Sequence, residues 1–280
     1  MKMKIFVVKN AGFCFGVKRA INLAFEKAKK TGKRVYTFGP LIHNPQVVEE
    51  LRREGVYPVQ NLKKIKSGTL IIRSHGVHPR ILLEAKKKGL KIIDATCPFV
   101  RRAQRNARAL HKEGYQVVVV GEAHHPEVQG IIGYADDQAK VINSNTRELD
   151  FLRGKRIGVI AQTTLNLDTF KQVTGKLLEK AKEIKIFNTI CNATAIAQKA
   201  TLAMAKDVNL MIVVGGKNSA NTSRLAKLCR EKGKTTYHIE TASELKSRWF
   251  KGIRSIGVTG GTSTPNWIIN QVVEKIRDLI

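Results

Sequence analysis

The stretch QVVVVGEAHHPEVQGIIGYA, residues 116–135, shows the pattern that recurs along this chain. It begins with an apolar run of valines, passes through a polar loop and continues as an amphipathic helical segment. A short apolar run bounded by a turn is typical of a buried strand, and a strand followed by a helix is the repeating unit of parallel α/β sheets. This stretch therefore predicts one strand–loop–helix unit.

Eight further segments follow the same plan, each a strand-like run that ends in a polar or glycine-rich loop. They are KIFVVKNAGFCFG, VYTFGPLIHNP, TLIIRSHGVHP, KIIDATCPFV, RIGVIAQTTLN, IKIFNTICNAT, LMIVVGGKNSANT and SIGVTGGTSTPN. Strand-like runs alternate with helical stretches along the whole chain of 280 residues. The sequence thus predicts an α/β fold of nine units.

The cysteines show that these units repeat in triplets. The first, fourth and seventh units carry Cys14, Cys97 and Cys191 just after their strands, at intervals of 83 and 94 residues. The second and third units of each triplet also carry polar residues at corresponding places: His43, His125 and Ser219, then His75, Thr163 and Ser263. A period of this length predicts three small parallel-sheet α/β domains related by an approximate threefold axis.

The repeat also predicts where the domains begin and end. Residues 1–13 form an N-terminal strand that joins the assembly. Residues 14–96, 97–190 and 191–280 form the first, second and third α/β domains. Each domain therefore begins at one of the three repeated cysteines.

In open parallel sheets, ligands bind at the carboxyl ends of the strands, and all nine loops lie at such ends. Domains that face the pseudo-axis would bring Cys14, Cys97 and Cys191 to one point. The alternative is three independent core cysteines, which chance alone rarely places at equivalent positions. Cys229 has no partner in the repeat and is predicted to be structural.

Three thiolates in one site select soft metals, chiefly zinc or an iron–sulfur cluster. Four cysteines close the coordination of a 4Fe–4S cluster, whereas three leave one iron without a protein ligand and open to a substrate oxygen. A site of three cysteines with zinc and a bound water is the competing assignment. A zinc hydrolase of phosphorylated substrates therefore stays open as an alternative function.

Two loops have the composition of a phosphate site, GGKNSANTSR at residues 215–224 and TGGTSTPNW at residues 259–267. Their glycines let backbone amides approach a ligand, and hydroxyl and amide donors follow at a helix start. The histidines of the other loops add donors, and cations when protonated: His43, His75 and His125. This number of donors suits a diphosphate.

Glu127 is the carboxylate that we predict in the pocket. Beside an anionic substrate and cluster its carboxyl group is protonated more easily, which suits a general acid. The alternative is a residue of the first helical turn that the helix dipole stabilises. Thr163 is the residue predicted to orient Glu127.

The formal net charge of +28 favours acidic partners: nucleic acid, an acidic protein or a phosphorylated small molecule. Aromatic residues are only 6% and no nucleic-acid motif is present, so we expect no nucleic-acid partner. A basic RNA-associated protein with incidental cysteines is the alternative from a different class. No apolar run approaches the length of a membrane span and no signal peptide is evident, so we expect no membrane partner and a cytoplasmic location.

The chain closely resembles the 4-hydroxy-3-methylbut-2-enyl diphosphate reductase family, which ends the methylerythritol phosphate route to isoprenoids. The resemblance runs nearly end to end, through AGFCFGVKRA, GPLIHNPQVV, RSHGVHP, DATCPFV, HHPEVQG, QTTLN, TICNAT, GGKNSANTSRL and GVTGGTSTPNW. It implies a pseudo-threefold trefoil of the three α/β domains around a central site. It also implies a 4Fe–4S cluster on Cys14, Cys97 and Cys191, with one open iron.

The resemblance also implies an allylic diphosphate substrate whose hydroxyl is removed by reduction. Its ligands would be His43, His75, His125, Thr163, Ser219, Asn221 and Ser263, and Glu127, Thr163 and His125 would serve catalysis. Ala220 replaces a serine that is usual in the family, which removes one expected hydroxyl. The sequence has no dinucleotide-binding loop, so a ferredoxin or flavodoxin is expected to supply the electrons.

Overall fold

A computed structural model of the protein describes residues 3–31, 34–42 and 44–280. Over these residues the chain forms three four-stranded sheets with helices packed against them. All neighbouring strands within each sheet run parallel. The predicted α/β fold of three small parallel sheets is confirmed.

The strands found in the described residues are short. They are β1 (Lys4–Val7), β2 (Val35–Phe38), β3 (Val56–Val59), β4 (Thr69–Ile72), β5 (Lys91–Asp94), β6 (Gln116–Val120), β7 (Lys140–Ile142), β8 (Arg156–Ala161), β9 (Glu183–Phe187), β10 (Leu210–Val214), β11 (Thr235–Ile239) and β12 (Ser255–Gly260).

The α-helices of the same residues lie between the strands. They are α1 (Phe15–Thr31), α2 (Pro45–Arg53), α3 (Pro79–Lys87), α4 (Pro98–Lys112), α5 (Pro126–Tyr134), α6 (Leu167–Leu178), α7 (Asn192–Asp207), α8 (Ala220–Glu231) and α9 (Asn266–Leu279). Short 3-10 helices occur at Asp150–Leu152, Ala242–Glu244 and Ser247–Phe250.

The three sheets repeat one strand order. The orders are β3-β2-β4-β5, β7-β6-β8-β9 and β11-β10-β12-β1. The nine predicted strand–helix units are all present in the described chain, and β3, β7 and β11 are additional edge strands that the sequence pattern did not predict. No α-helix follows any of these three strands before the next strand, so they do not fit the strand–loop–helix pattern. Their edge position also tolerates a proline, as at Pro58 in β3.

The chain divides into two compact units, which are described separately. Unit 1 comprises Met1–Lys18, Ile42–Glu50 and Asn192–Ile280, and it contains the sheet of β1, β12, β10 and β11. Unit 2 comprises Arg19–Leu41 and Leu51–Cys191, and it contains the other two sheets.

The central strand β6 shows why unit 2 folds as it does. Its valines are all buried, and they alternate between two apolar clusters. Val118 and Val120 pack with Phe170 of α6, whereas Val117 and Val119 pack with residues of α4 and α5. A strand that is covered on both faces needs the continuous apolar run that the sequence shows.

The carboxyl ends of the strands carry the loops with the predicted site residues. In unit 2 these loops follow β4, β5, β6, β8 and β9, and in unit 1 they follow β1, β10 and β12. No helix in the described parts of the chain is long and apolar enough to cross a membrane.

Candidate active site

Glu127 is buried at the start of α5, with 1% of its surface exposed. His125 caps this helix, and its Nδ1 accepts the Glu127 backbone N–H at 3.2 Å. The carboxylate accepts two further hydrogen bonds of 2.7 Å, from the backbone N–H and the Oγ1 hydroxyl of Thr163. Thr163 follows β8, the strand next to β6, so the parallel pairing of these strands brings the two residues together.

Burial raises the pKa of the Glu127 carboxyl group to about 7, because the charged form loses its water. The two hydrogen bonds from Thr163 act in the opposite direction and lower the pKa, but they do not outweigh the loss of hydration. A carboxyl group with a pKa near neutrality is present in both protonation states at physiological pH. This is the property that a general acid requires.

His75 and His125 lie next to each other. Their ring centroids are 5.6 Å apart and the rings meet edge to face at 76°. Because Nδ1 of His125 accepts a backbone hydrogen bond, the neutral ring carries its hydrogen on Nε2. His75 follows β4 and His125 follows β6, so loops from both sheets of unit 2 meet at this pair.

Cys97 lies at the N-cap of α4, directly after β5. Its backbone N–H donates to the carbonyl oxygen of Ser74, the neighbour of His75, at 2.9 Å. The guanidinium group of Arg19 donates to the carbonyl oxygen of Thr96 at 3.3 Å. The loop that carries Cys97 is thus held to the loop that carries His75.

Cys191 is the last residue before α7, and 8% of its surface is exposed. Its backbone N–H donates to the carbonyl oxygen of Thr163 at 2.8 Å. Thr163 therefore binds Glu127 through its N–H and hydroxyl and Cys191 through its carbonyl group. One residue couples the position of the buried carboxyl group to that of the thiol.

In unit 1, Cys14 stands beside the loop that carries Ser263. Its backbone N–H donates to the carbonyl oxygen of Thr262 at 3.1 Å. The Ser263 hydroxyl donates to the Ser219 hydroxyl at 3.2 Å, and Ser219 caps α8. The loops after β1, β10 and β12 therefore place a thiol and two hydroxyl groups at one edge of the sheet.

Asn221, in the first turn of α8, is 3% exposed. Neither its side-chain nitrogen nor its side-chain oxygen has a hydrogen-bond partner among the described residues. A buried amide without hydrogen-bond partners destabilises the fold by about 1–3 kcal/mol, and a ligand that bonds to this side chain would recover that free energy. The Asn221 side chain therefore fits a polar ligand at the start of the helix.

Two residues that were not predicted from the sequence, Thr222 and Thr264, support these loops. A side chain at Gly261 would collide with the Thr222 hydroxyl, and one at Gly215 would collide with the Thr264 hydroxyl. The glycines are therefore needed for close approach, and Gly215 also has a positive φ of 136°. The doubled glycines of both loops, with threonines nearby, were the available sequence signal.

Unit 2 brings together five predicted residues: His75, His125, Glu127, Thr163 and Cys191, with Cys97 bonded to the loop of His75. Unit 1 contains four: Cys14, Ser219, Asn221 and Ser263. His43 lies outside the described residues. Across the described residues, no three His, Cys, Asp or Glu side chains form a ready-made site for a metal ion.

Comparison with known proteins decides the family. The sequence model described as "LytB protein" matches residues 5–277. This chain belongs to the LytB protein family. A relative from Geobacter metallireducens, named 4-hydroxy-3-methylbut-2-enyl diphosphate reductase, is 51% identical over 99% of this chain and 98% of its own length. The relative of that name from Pelobacter propionicus is 49% identical over 99% of both chains.

Solved structures of LytB-type reductases have the same fold. The structure of an (E)-4-hydroxy-3-methyl-but-2-enyl diphosphate reductase, described as the terminal enzyme of the non-mevalonate pathway, is 47% identical with a TM-score of 0.73, over 99% of this chain and 100% of that one. The E-1-hydroxy-2-methyl-but-2-enyl-4-diphosphate reductase of Plasmodium falciparum is 28% identical with a TM-score of 0.91, over 98% of this chain and 88% of that one.

Membership in the LytB family implies an iron–sulfur cofactor, and the cysteines of this chain fit it. Cys14, Cys97 and Cys191 each stand immediately before a helix, whose amino end carries partial positive charge and favours an anionic thiolate ligand. Cys229 differs, since it is fully buried inside α8 and burial raises its pKa to about 11. Thiolates that ligate a cluster bind different iron atoms and need not share one coordination sphere.

Proposed function

We propose that this LytB protein is an enzyme that removes the allylic hydroxyl group of (E)-4-hydroxy-3-methylbut-2-enyl diphosphate by reduction. The products are isopentenyl and dimethylallyl diphosphate. The substrate takes up two electrons and two protons, its C–O bond breaks, a C–H bond forms and water leaves. Relatives near 50% identity over almost the full length support this assignment.

The proposed cofactor is a 4Fe–4S cluster held by Cys14, Cys97 and Cys191, with one iron that has no protein ligand. Such a cluster supplies one-electron transfer and Lewis-acid chemistry at the open iron. The three helix amino ends support this ligand set, because each favours a thiolate next to it. All four cysteines are free thiols, which suits the reducing cytoplasm that we propose as the location.

The proposed proton donor is Glu127. Its carboxyl group has a pKa of about 7, so a large fraction carries a proton at neutral pH. Thr163 holds both carboxyl oxygens and prevents the group from rotating away from the substrate. His125 caps the helix that carries Glu127, and its Nδ1 accepts the Glu127 backbone N–H.

The diphosphate is proposed to bind to a ring of hydrogen-bond donors from several loops. The residues proposed to bind the substrate are His43, His75, His125, Thr163, Ser219, Asn221 and Ser263. The N–H and hydroxyl of Thr163 already donate to Glu127, so Thr163 acts here by holding that carboxyl group. The unpaired amide of Asn221 gives the strongest support, because a phosphate oxygen satisfies its N–H group. The amino end of α8, where Ser219 and Asn221 lie, also favours an anion.

Electrons are proposed to come from a separate protein, a ferredoxin or flavodoxin, and the net charge of +28 favours encounter with an acidic carrier. The domains are proposed to be residues 14–96, 97–190 and 191–280, with residues 1–13 added as a strand. The strand orders of the sheets support these boundaries, because the strand before each repeated cysteine completes the preceding sheet, and β1 completes the last one.

The observation that carries the proposal is the hydrogen-bonded series of Glu127, Thr163 and Cys191, which joins a buried acid of near-neutral pKa to a proposed cluster ligand. The experiment is anaerobic purification followed by iron, sulfide and zinc analysis and by turnover with the diphosphate substrate. We expect a brown protein with about four irons per chain. A colourless protein with one zinc, or one with RNA and no iron, would contradict the proposal.

Matched cysteine variants sharpen this test. Cys97→Ala is expected to lose most of the iron and all turnover, because it removes a proposed ligand. Cys229→Ala removes a buried thiol from the apolar cluster around Met211 and is expected to keep both. Equal iron loss in the two variants would show that general instability, not ligation, is responsible.

A further inference from the structure

One side of α4 is an arginine surface, which we define as Arg101, Arg102, Arg105 and Arg108. All four side chains are exposed. The helix sequence PFVRRAQRNARALHK contains no acidic residue. The surface is therefore strongly cationic along the length of the helix.

This arrangement is unfavourable for the helix itself. Arg101 and Arg105 are four residues apart and Arg105 and Arg108 are three apart, so like charges face each other. Such pairs each cost a few tenths of a kcal/mol, and basic residues near the amino end also oppose the helix dipole. A helix selected for stability alone would carry glutamates at some of these positions.

Contacts within the protein leave most of the positive charge of the arginine surface without a carboxylate partner. Arg101 forms an ion pair with Asp94, and Arg108 lies 5.9 Å from the centroid of the Tyr134 ring. Arg102 donates to the carbonyl oxygen of Asn188 at 3.0 Å, a contact with a neutral group. Arg105 forms no hydrogen bond or ion pair with any described residue. Among the described contacts, one carboxylate thus pairs with one of the four guanidinium groups.

The arginine surface adjoins both proposed cluster ligands of unit 2. The helix begins at Pro98, directly after Cys97. Asn188, which Arg102 contacts, is three residues before Cys191 on the loop after β9. The cationic surface therefore lies beside two chain segments that carry proposed cluster ligands.

We propose that the arginine surface of α4 is the docking site of an acidic electron-carrier protein. The proposal rests on the proposed function and adds the place of docking. A reduced carrier binds, gives one electron and leaves oxidised, and a second carrier repeats the step. Guanidinium groups bind carboxylates through paired hydrogen bonds, so this surface fits acidic side chains of a protein. Charge at the rim of such an interface acts mainly on the rate of association.

The test uses the cluster-loaded protein and Arg105→Glu. The new carboxylate would face Arg101 and Arg108 on the helix, so the variant is expected to fold at least as well. Turnover is measured with a reduced bacterial ferredoxin of net negative charge and, separately, with dithionite. At low salt the KM for ferredoxin is expected to rise about tenfold, while turnover with saturating dithionite stays unchanged.

The matched control is Arg147→Glu, which makes the same charge change on the other face of the sheet formed by β6, β7, β8 and β9. Arg147 is exposed beside Leu149 and Leu152, which pack on the α6 side, whereas α4 packs on the other side. This control is expected to change the KM for ferredoxin less than twofold. Equal effects of the two variants would overturn the docking site. They would indicate that the net positive charge of the whole protein attracts ferredoxin.

Two other results have distinct meanings. If Arg105→Glu lowers turnover with dithionite as much as with ferredoxin, the surface acts on the reaction itself and the docking proposal fails. If it abolishes RNA binding and leaves the ferredoxin KM unchanged, the surface binds nucleic acid and the proposal also fails. Absence of dithionite-driven turnover in the unmodified protein would instead overturn the proposed function.

Discussion

Replacement of Glu127 by glutamine tests the assignment of the proton donor. The amide keeps the size of the side chain, and its oxygen still accepts the backbone N–H of Thr163. The Thr163 hydroxyl, which now donates at 2.7 Å, rotates to accept from the new amide group. Glu127→Gln should therefore keep the local structure and remove only the proton that the group transfers.

The expected loss of turnover is about 100-fold or more, since a positioned general acid contributes about 10²–10⁴ in rate. The same substitution should increase the free energy of unfolding at high pH. The Glu127 pKa rises from an ordinary value of 4.5 to about 7 on folding, and this shift corresponds to about 3 kcal/mol.

The sign follows from proton binding. The folded state binds this proton more tightly than the unfolded state, so the contribution of Glu127 to stability is complete below pH 4.5 and is lost as the pH rises through about 7. Glu127→Gln has no such loss. Relative to the unmodified protein, the variant should therefore gain about 3 kcal/mol of unfolding free energy between pH 4.5 and pH 8.

The assays are urea unfolding at several pH values, dithionite-driven turnover and calorimetric binding of the substrate. Binding is expected to remain within about threefold, because the diphosphate is held by other residues. Turnover close to that of the unmodified protein would refute the role of Glu127 as proton donor. A stability difference that does not vary with pH would refute the raised pKa.

Three further predictions concern the same site. Thr163→Val removes the hydroxyl hydrogen bond that lowers the Glu127 pKa, so the alkaline limb of the kcat profile should move to higher pH, and Thr163→Ser should restore it. Ala220→Ser restores a hydroxyl at the amino end of α8 and should tighten pyrophosphate binding, measured by calorimetry, by up to about tenfold. Raising the salt concentration from about 50 to 500 mM should raise the KM for ferredoxin several-fold and leave dithionite-driven turnover unchanged.

The nine strand–helix units could be predicted because each depends on a local pattern. Buried central strands such as β6 and β10 must be apolar throughout, and this run is visible in the sequence. The edge strands β3, β7 and β11 escaped prediction because no α-helix follows any of them before the next strand. They therefore do not fit the strand–loop–helix pattern by which the other strands were recognised.

The α/β class, the threefold repeat and the loops that carry the cysteines and polar residues could all be read from the amino-acid sequence, because spacing and periodicity are properties of the chain. Three properties became visible only in the folded chain: Glu127 is buried against Thr163, Thr163 also binds the Cys191 backbone, and Asn221 has no hydrogen-bond partner among the described residues. These properties depend on hydration, and whether a polar group loses its water is set by every atom packed around it.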